Sequence, residues 1–178
     1  DNIKALSRML REALPTLENN MQTAEGKEEE EIKKFSEQVT ADVPKLNKQV
    51  QNVREDLDHQ MIADPTAEED RVMKYLNGKV AEFTRHKQTA EKLQEYQNIL
   101  KLNVDEFENI DDVAADLNLK VRLWSDKAAW KDVRGAALKT QMADLDVTAF
   151  EKDLSKFNKT AFLAAKGLPS NKVVPKFK

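Results

Sequence analysis

Apolar residues recur along the chain at helical spacing. Ile3, Leu6, Leu10, Ala13 and Leu17 alternate steps of three and four, which lays one stripe along a helix and asks for a partner helix. Pro15 lacks an amide proton and disfavours the α conformation at Leu14. The spacing therefore predicts two short helices or one bent one, with a looser turn ending near Gly26. From about residue 27 to residue 63, Ile32, Val39, Leu46 and Val53 repeat every seven residues, while Val43, Val50 and Leu57 each follow a seam residue by four. That is a heptad seam on a helix on the order of 50 Å long at about 1.5 Å per residue, and such a seam predicts a rod-like, elongated bundle. Pro44 interrupts it, as a kink or as the meeting of two helices; the seam stays in phase across it, which favours the kink.

Asp64-Pro65 stops this helix, and Thr66-x-x-Glu69 has the form of a capping box opening an antiparallel return. The third segment, about residues 67–102, aligns Val72, Leu76, Phe83, Ala90, Leu93 and Leu100, with Lys79, His86 and Gln97 also in seam positions, so its packing is expected to be looser and partly wet. Asn103-Val104-Asp105 marks the next break, with Asp105 the expected N-cap and Glu108 three residues on. The following helix has two apolar faces. Phe107, Ile110, Ala114, Leu117, Val121, Trp124 and Ala128 make one, Leu119, Leu123 and Trp130 a second, and Gly135 lies within or near its end. A connecting segment is anchored by Met142 and Leu145. Asp146 then caps a last full helix with Val147, Phe150, Leu154, Phe157, Ala161 and Ala164 inward. Gly167-Leu168-Pro169 ends it, and Ser170 or Asn171 caps one more helix. The fold class is all-α, an elongated antiparallel bundle of long, kinked amphipathic helices. The helices are unequal and the two Trp are six residues apart, so no tandem repeat of fixed period is present.

Composition agrees. Of 178 residues, 34% are charged and 6% aromatic, with only four Gly and five Pro, too few turn formers for a β protein. Lys and Arg number 29 against 32 Asp and Glu, a net charge of −3 that supplies no basic field for nucleic acid or an anionic membrane. The absence of Cys excludes disulfides, thiolate metal sites and a cysteine nucleophile, and makes a cytosolic setting the default expectation. Asp1-Asn2-Ile3-Lys4 is neither a signal peptide nor a translation start, and the chain reads as an excerpt of a longer one.

Few residues suggest chemistry. Glu28, Glu29, Glu30 and Glu31 fan out around a helix through about 300° and so form a solvated face rather than a cation site. His59 and His86 match no zinc spacing. The segment from Gly167 to Lys172 lacks the second Gly and preceding strand of a phosphate loop. Asn158-Lys159-Thr160 has the form of a glycosylation sequon but falls inside an amphipathic helix, and it is assigned no function. No catalytic, cofactor-binding or metal residue is expected. Trp124 and Trp130 point about 120° apart and are expected to pin their helix between two others.

The order Leu123-Trp124, Trp130, Met142-Ala143-Asp144-Leu145-Asp146-Val147, Phe157 and Leu168-Pro169-Ser170-Asn171-Lys172-Val173-Val174-Pro175 resembles the dynein heavy chain, where such helices run from the distal tail into the linker before the motor ring. The resemblance covers about residues 105–178, a tail-to-linker junction; residues 1–104 fit the tail bundle upstream. It departs at residues 131–139, where Gly135, Ala136 and Ala137 make a weaker face. Its anchors are Leu123, Trp124, Trp130, Leu145, Asp146, Phe157, Pro169, Val173 and Val174.

The resemblance implies a non-catalytic, force-transmitting segment of a minus-end-directed microtubule motor, of the axonemal rather than the cytoplasmic kind, in the cytoskeleton of a cilium or flagellum. ATP and Mg would be bound elsewhere in the parent chain. Other heavy chains, intermediate and light chains are the implied partners, with the microtubule engaged through the parent chain. The competing class is a free-standing helical scaffold or tether built on the same heptads. A lipid-surface binder fits less well, because Glu and Asp mix with Lys on the polar faces.

Overall fold

The computed structural model describes residues 2–141 and 144–177. Met142 and Ala143, expected in the connecting segment, lie outside the described residues. Six helices follow one another: α1 (Asn2–Leu57), α2 (Gln60–Ala63), α3 (Glu69–Ile99), α4 (Asn109–Lys139), α5 (Val147–Gly167) and α6 (Val174–Phe177). No strand occurs among the described residues, so the fold is all-α and its helices pack as a bundle. The chain divides into two compact units, one of residues 1–44 and 92–105, the other of residues 45–91 and 106–178.

The expected break at Pro15 and turn near Gly26 are absent. α1 runs unbroken through Pro15, Gly26 and Pro44. Each proline removes one backbone hydrogen bond, but the surrounding run is rich in Ala, Leu, Glu, Lys, Gln and Met, which hold the helical state strongly enough to carry an isolated defect. Exposed pairs at helical spacing add to this, Arg8 with Glu12 and Lys34 with Glu30 and Glu31. The partner helix expected for the first stripe is also absent among the described residues: Ile3 is 84% exposed, Leu10 56% and Leu17 57%. Ile32, placed in the heptad seam by its spacing, is likewise exposed.

In the first unit, Val39 and Leu93 are buried and Phe35 meets the Tyr96 ring edge-on at 5.2 Å. Asp105 is not an N-cap. Its amide donates to the Gln97 side chain at 3.0 Å and its carbonyl accepts from the Gln94 side chain at 2.8 Å. These bonds tie the loop after α3 back onto that helix, and α4 starts only at Asn109. Gln97, expected to loosen the seam, is instead buried and bonded.

In the second unit the seam is dry where the heptads predict it, with Leu46, Val50, Val53 and Leu57 of α1 and Val72, Leu76 and Phe83 of α3 buried. Lys79 breaks the apolar pattern. Its ammonium lies 2.6 Å from Asp56 and 2.8 Å from Glu82, while the Tyr75 hydroxyl donates to the Asp56 carbonyl at 3.1 Å. The Thr66 box does not form, because the Thr66 hydroxyl and amide both donate to the Asp64 carboxylate. That bonding holds the Asp64 carboxyl below the usual carboxylate range. Asp146 does cap α5, its carboxylate accepting from the Ala149 amide at 3.0 Å. Of the residues expected inward on α5, Phe157, Ala161 and Ala164 are buried, Phe150 is half-buried, and Val147 and Leu154 are exposed. Leu168 ends α5 by donating its amide to the Ala164 carbonyl, and Gly167 lies so close to α4 that a Cβ there would stand 2.5 Å from Leu119 Cδ2.

The bonds to Asp56, and then Glu82, raise the Lys79 pKa above the ordinary lysine value. A raised folded value means that the contribution is whole below the unfolded pKa of about 10.5 and is lost as pH climbs through the folded one. Lys79→Met should cost about 1 kcal/mol near neutrality, its half-exposed carboxylate partners being returned to water. Urea titrations of the two proteins at about pH 8 and about pH 11 should show the gap narrowing at the higher pH. A gap that widens would contradict the ion-pair assignment.

Candidate functional site

Two polar networks join helices distant in sequence and a third ties α4 to the turn after α1, all within the second unit. The first centres on Ile62 in α2. This four-residue helix leaves its carbonyls without partners in the helix. The Ile62 carbonyl accepts from the Trp124 indole at 3.0 Å and from the Asn171 side-chain amide at 3.3 Å. Trp124 and the Ile62 side chain are buried to within 1%. Asn171 also accepts from the Val173 amide at 2.9 Å, which turns the chain into α6. One oxygen thus fastens α2, α4 and the segment between α5 and α6 together.

The second network joins α4 to α5. Thr160 is fully buried, and its hydroxyl donates to Asp126 at 2.6 Å while accepting from Arg122 Nε at 2.9 Å. Lys156 approaches the other Asp126 oxygen at 3.7 Å. The hydroxyl of the apparent sequon is thereby committed to the core. In the third, Lys120 is 5% exposed, bonded to Asp116 at 2.8 Å and 3.5 Å from Asp58. Lys120 lines an open cleft of about 430 Å³ with Arg54, His59, Asp112, Asp116 and Ser170. His59 Nδ1 accepts from the Met61 amide at 3.1 Å and its ring lies 5.5 Å from Tyr75. His59 is thus engaged at the start of α2. Among the described residues no three His, Asp or Glu side chains gather to hold a metal ion. No described helix is long and apolar enough to cross a membrane.

The anchors of the family resemblance fall as follows. Leu123, Trp124, Phe157, Val173 and Val174 are buried, Trp130 and Leu145 are half-buried, and Asp146 and Pro169 are exposed. Trp130 stacks between Phe157 at 5.6 Å and Phe150 at 6.2 Å, and Phe157 meets the Phe177 ring edge at 6.4 Å. Lys127 lies over the Trp124 ring at 4.4 Å and bonds Glu69, the first residue of α3. The two Trp therefore serve different neighbours, as their angular separation requires. Ile62, Lys120, Asp126 and Thr160 were missed. Two carried a signal, since Asp116 and Lys120, and Arg122 and Asp126, each stand four apart on one helix.

Trp124→Phe keeps the ring and removes the donor, and should cost about 1–2 kcal/mol in urea titration. In a cycle with Asn171→Ala, the double variant should lose more than the summed singles by about 0.5–1 kcal/mol, because one oxygen then has no partner left. Strict additivity would refute the shared-acceptor account. Thr160→Val leaves the buried Asp126 carboxylate short of a donor and should cost about 1–3 kcal/mol, read the same way.

No family model matches the chain, and no solved structure matches it. The chain is similar to human axonemal dynein heavy chain 6, at 28% identity over 169 residues, 95% of this chain. Those residues span 4% of that protein's length. Nearly the whole of this chain is thus similar to one short segment of a dynein heavy chain.

Proposed function

We propose that the chain is a non-catalytic, force-transmitting segment of a dynein heavy chain, of the axonemal kind, running from the tail bundle toward the linker. The observation that carries this reading is the similarity to the human axonemal chain over 95% of the residues at once, rather than over one motif. The physical chemistry supports it. Helices of 56, 31 and 31 residues hold their backbone hydrogen bonds within themselves and are stiff along their axes. The Ile62 and Asp126 networks tie α2 and α5 to α4, and Lys120 of α4 pairs with Asp58 in the turn after α1. A segment so built passes strain along rather than absorbing it. On this reading ATP and Mg bind elsewhere in the parent chain, the partners are other heavy chains with intermediate and light chains, and the microtubule is engaged through the parent chain.

The full parent transcript should encode several GxxxxGK[ST] loops beyond the codon for Lys178, and an antibody against this segment should stain axonemes and co-sediment with their salt-extracted ATPase. A parent chain without such loops would overturn the motor reading and leave a helical scaffold.

A further inference from the structure

The second half of α4 gathers cations on one face. At about 100° per residue, Lys127, Lys131, Arg134 and Leu138 fall within an arc of about 60°, while Asp126 and Asp132 lie more than about 100° from its centre. With Lys176 of α6, these four residues line an open cleft of about 420 Å³ that lies wholly in the second unit. Trp130 and Phe177 add apolar surface to it, and Leu138 leaves its side chain 76% exposed. The four cations meet a single lining carboxylate, Glu69, which is already shared by Lys127 at 3.2 Å and Lys131 at 3.8 Å. Arg134 and Lys176 have no ion-pair partner among the described residues; Asp64 lies near enough to Lys176 to feel its charge without forming a pair. On a chain whose net charge is −3, the cleft is a local reversal of sign.

We propose that this cleft docks an acidic segment of a second protein, one that carries an apolar side chain between carboxylates. Arg134 presents a planar fork that takes a carboxylate through two parallel hydrogen bonds, and Lys131 and Lys176 add point charges on the same cleft. Leu138 supplies the exposed apolar surface that the partner's aliphatic side chain covers. Residues 127–138 run about 17 Å at about 1.5 Å per residue, which matches about three turns of a partner helix. A nucleic acid fits this surface less well, because its bases need an open aromatic platform. Trp130 is already engaged by Phe150 and Phe157, Phe177 is buried, and the exposed apolar residue is an aliphatic one. Charge sign thus selects an acidic occupant, and the aliphatic surface selects a polypeptide. The inference does not rest on the motor reading.

The test is fluorescence anisotropy on the whole chain, with a labelled peptide of about 15 residues built of Glu and Ala around one central Leu. Saturable binding is expected, weaker by on the order of 10-fold between about 0.05 and about 0.3 M salt, and lost when Gln replaces each Glu. Arg134→Glu with Lys176→Glu should raise the Kd by on the order of 30-fold, and Leu138→Ser by about 3-fold. All three positions are exposed, so circular dichroism should show the helices retained. Lys152→Glu with Lys159→Glu makes the same change of charge on the exposed face of α5 and should move the Kd by less than about 3-fold. Absence of saturable binding overturns the proposal, as does an α5 pair that weakens binding as much as the cleft pair. Tighter binding of a DNA duplex or of phosphatidylserine vesicles than of the peptide overturns it in favour of a polyanion or a lipid surface. A longer piece of the parent chain that no longer takes the peptide assigns the cleft to that chain's own sequence, and overturns it too.

Discussion

One carbonyl oxygen organises the second compact unit. Ile62 sits in a helix too short to satisfy its own carbonyls, and the two donors that reach it come from Trp124 and Asn171, 62 and 109 residues farther along the chain. A bare carbonyl there would carry an unmet desolvation cost, so α2 is fixed in place only if α4 and the loop before α6 arrive correctly. The burial of Trp124, the aromatic stacking along Trp130, Phe157 and Phe177, and the seating of Val173 and Val174 all follow from the position of that loop and of α4.

The buried ions divide into two kinds. Asp126 takes a donated bond from a neutral hydroxyl and sits near two cations, whereas Lys120 lies between two carboxylates, one on its own helix and one from the turn after α1. Asp126 defines which residues of α4 and α5 must lie opposite each other, because a slip of one turn would take the Thr160 hydroxyl from a carboxylate held away from water. The networks set register; the apolar seam supplies most of the cohesion.

Much of the helical order was legible in the sequence, because the period of Val, Leu and Ile positions in α1, α3 and α5 is strong, Asp146 is an unambiguous start and Gly167 an unambiguous stop. The starts of α3 and α4 were not. Thr66 and Asp105 have cap chemistry, but Thr66 gives its hydroxyl and amide to Asp64, while the backbone amide and carbonyl of Asp105 are held by the Gln97 and Gln94 side chains of α3, so that α4 starts only at Asn109. Pro15 misled in the opposite direction, since local propensity over a long run outweighed one missing bond. The candidate site was half visible. Trp124 stands out by rarity and by its place in the stripe, but its partner is a backbone carbonyl, and no side-chain pattern announces a carbonyl.

The closeness of Gly167 to Leu119 has a consequence for how such sequences can drift. A Cβ at 167 and a leucine branch at 119 claim the same space, so the two positions are not free to vary one at a time. Enlarging the first is open to a lineage that has already trimmed the second, or in which the leucine has swung to another rotamer. Order of substitution, as well as identity, is thereby written into the packing of α5 on α4.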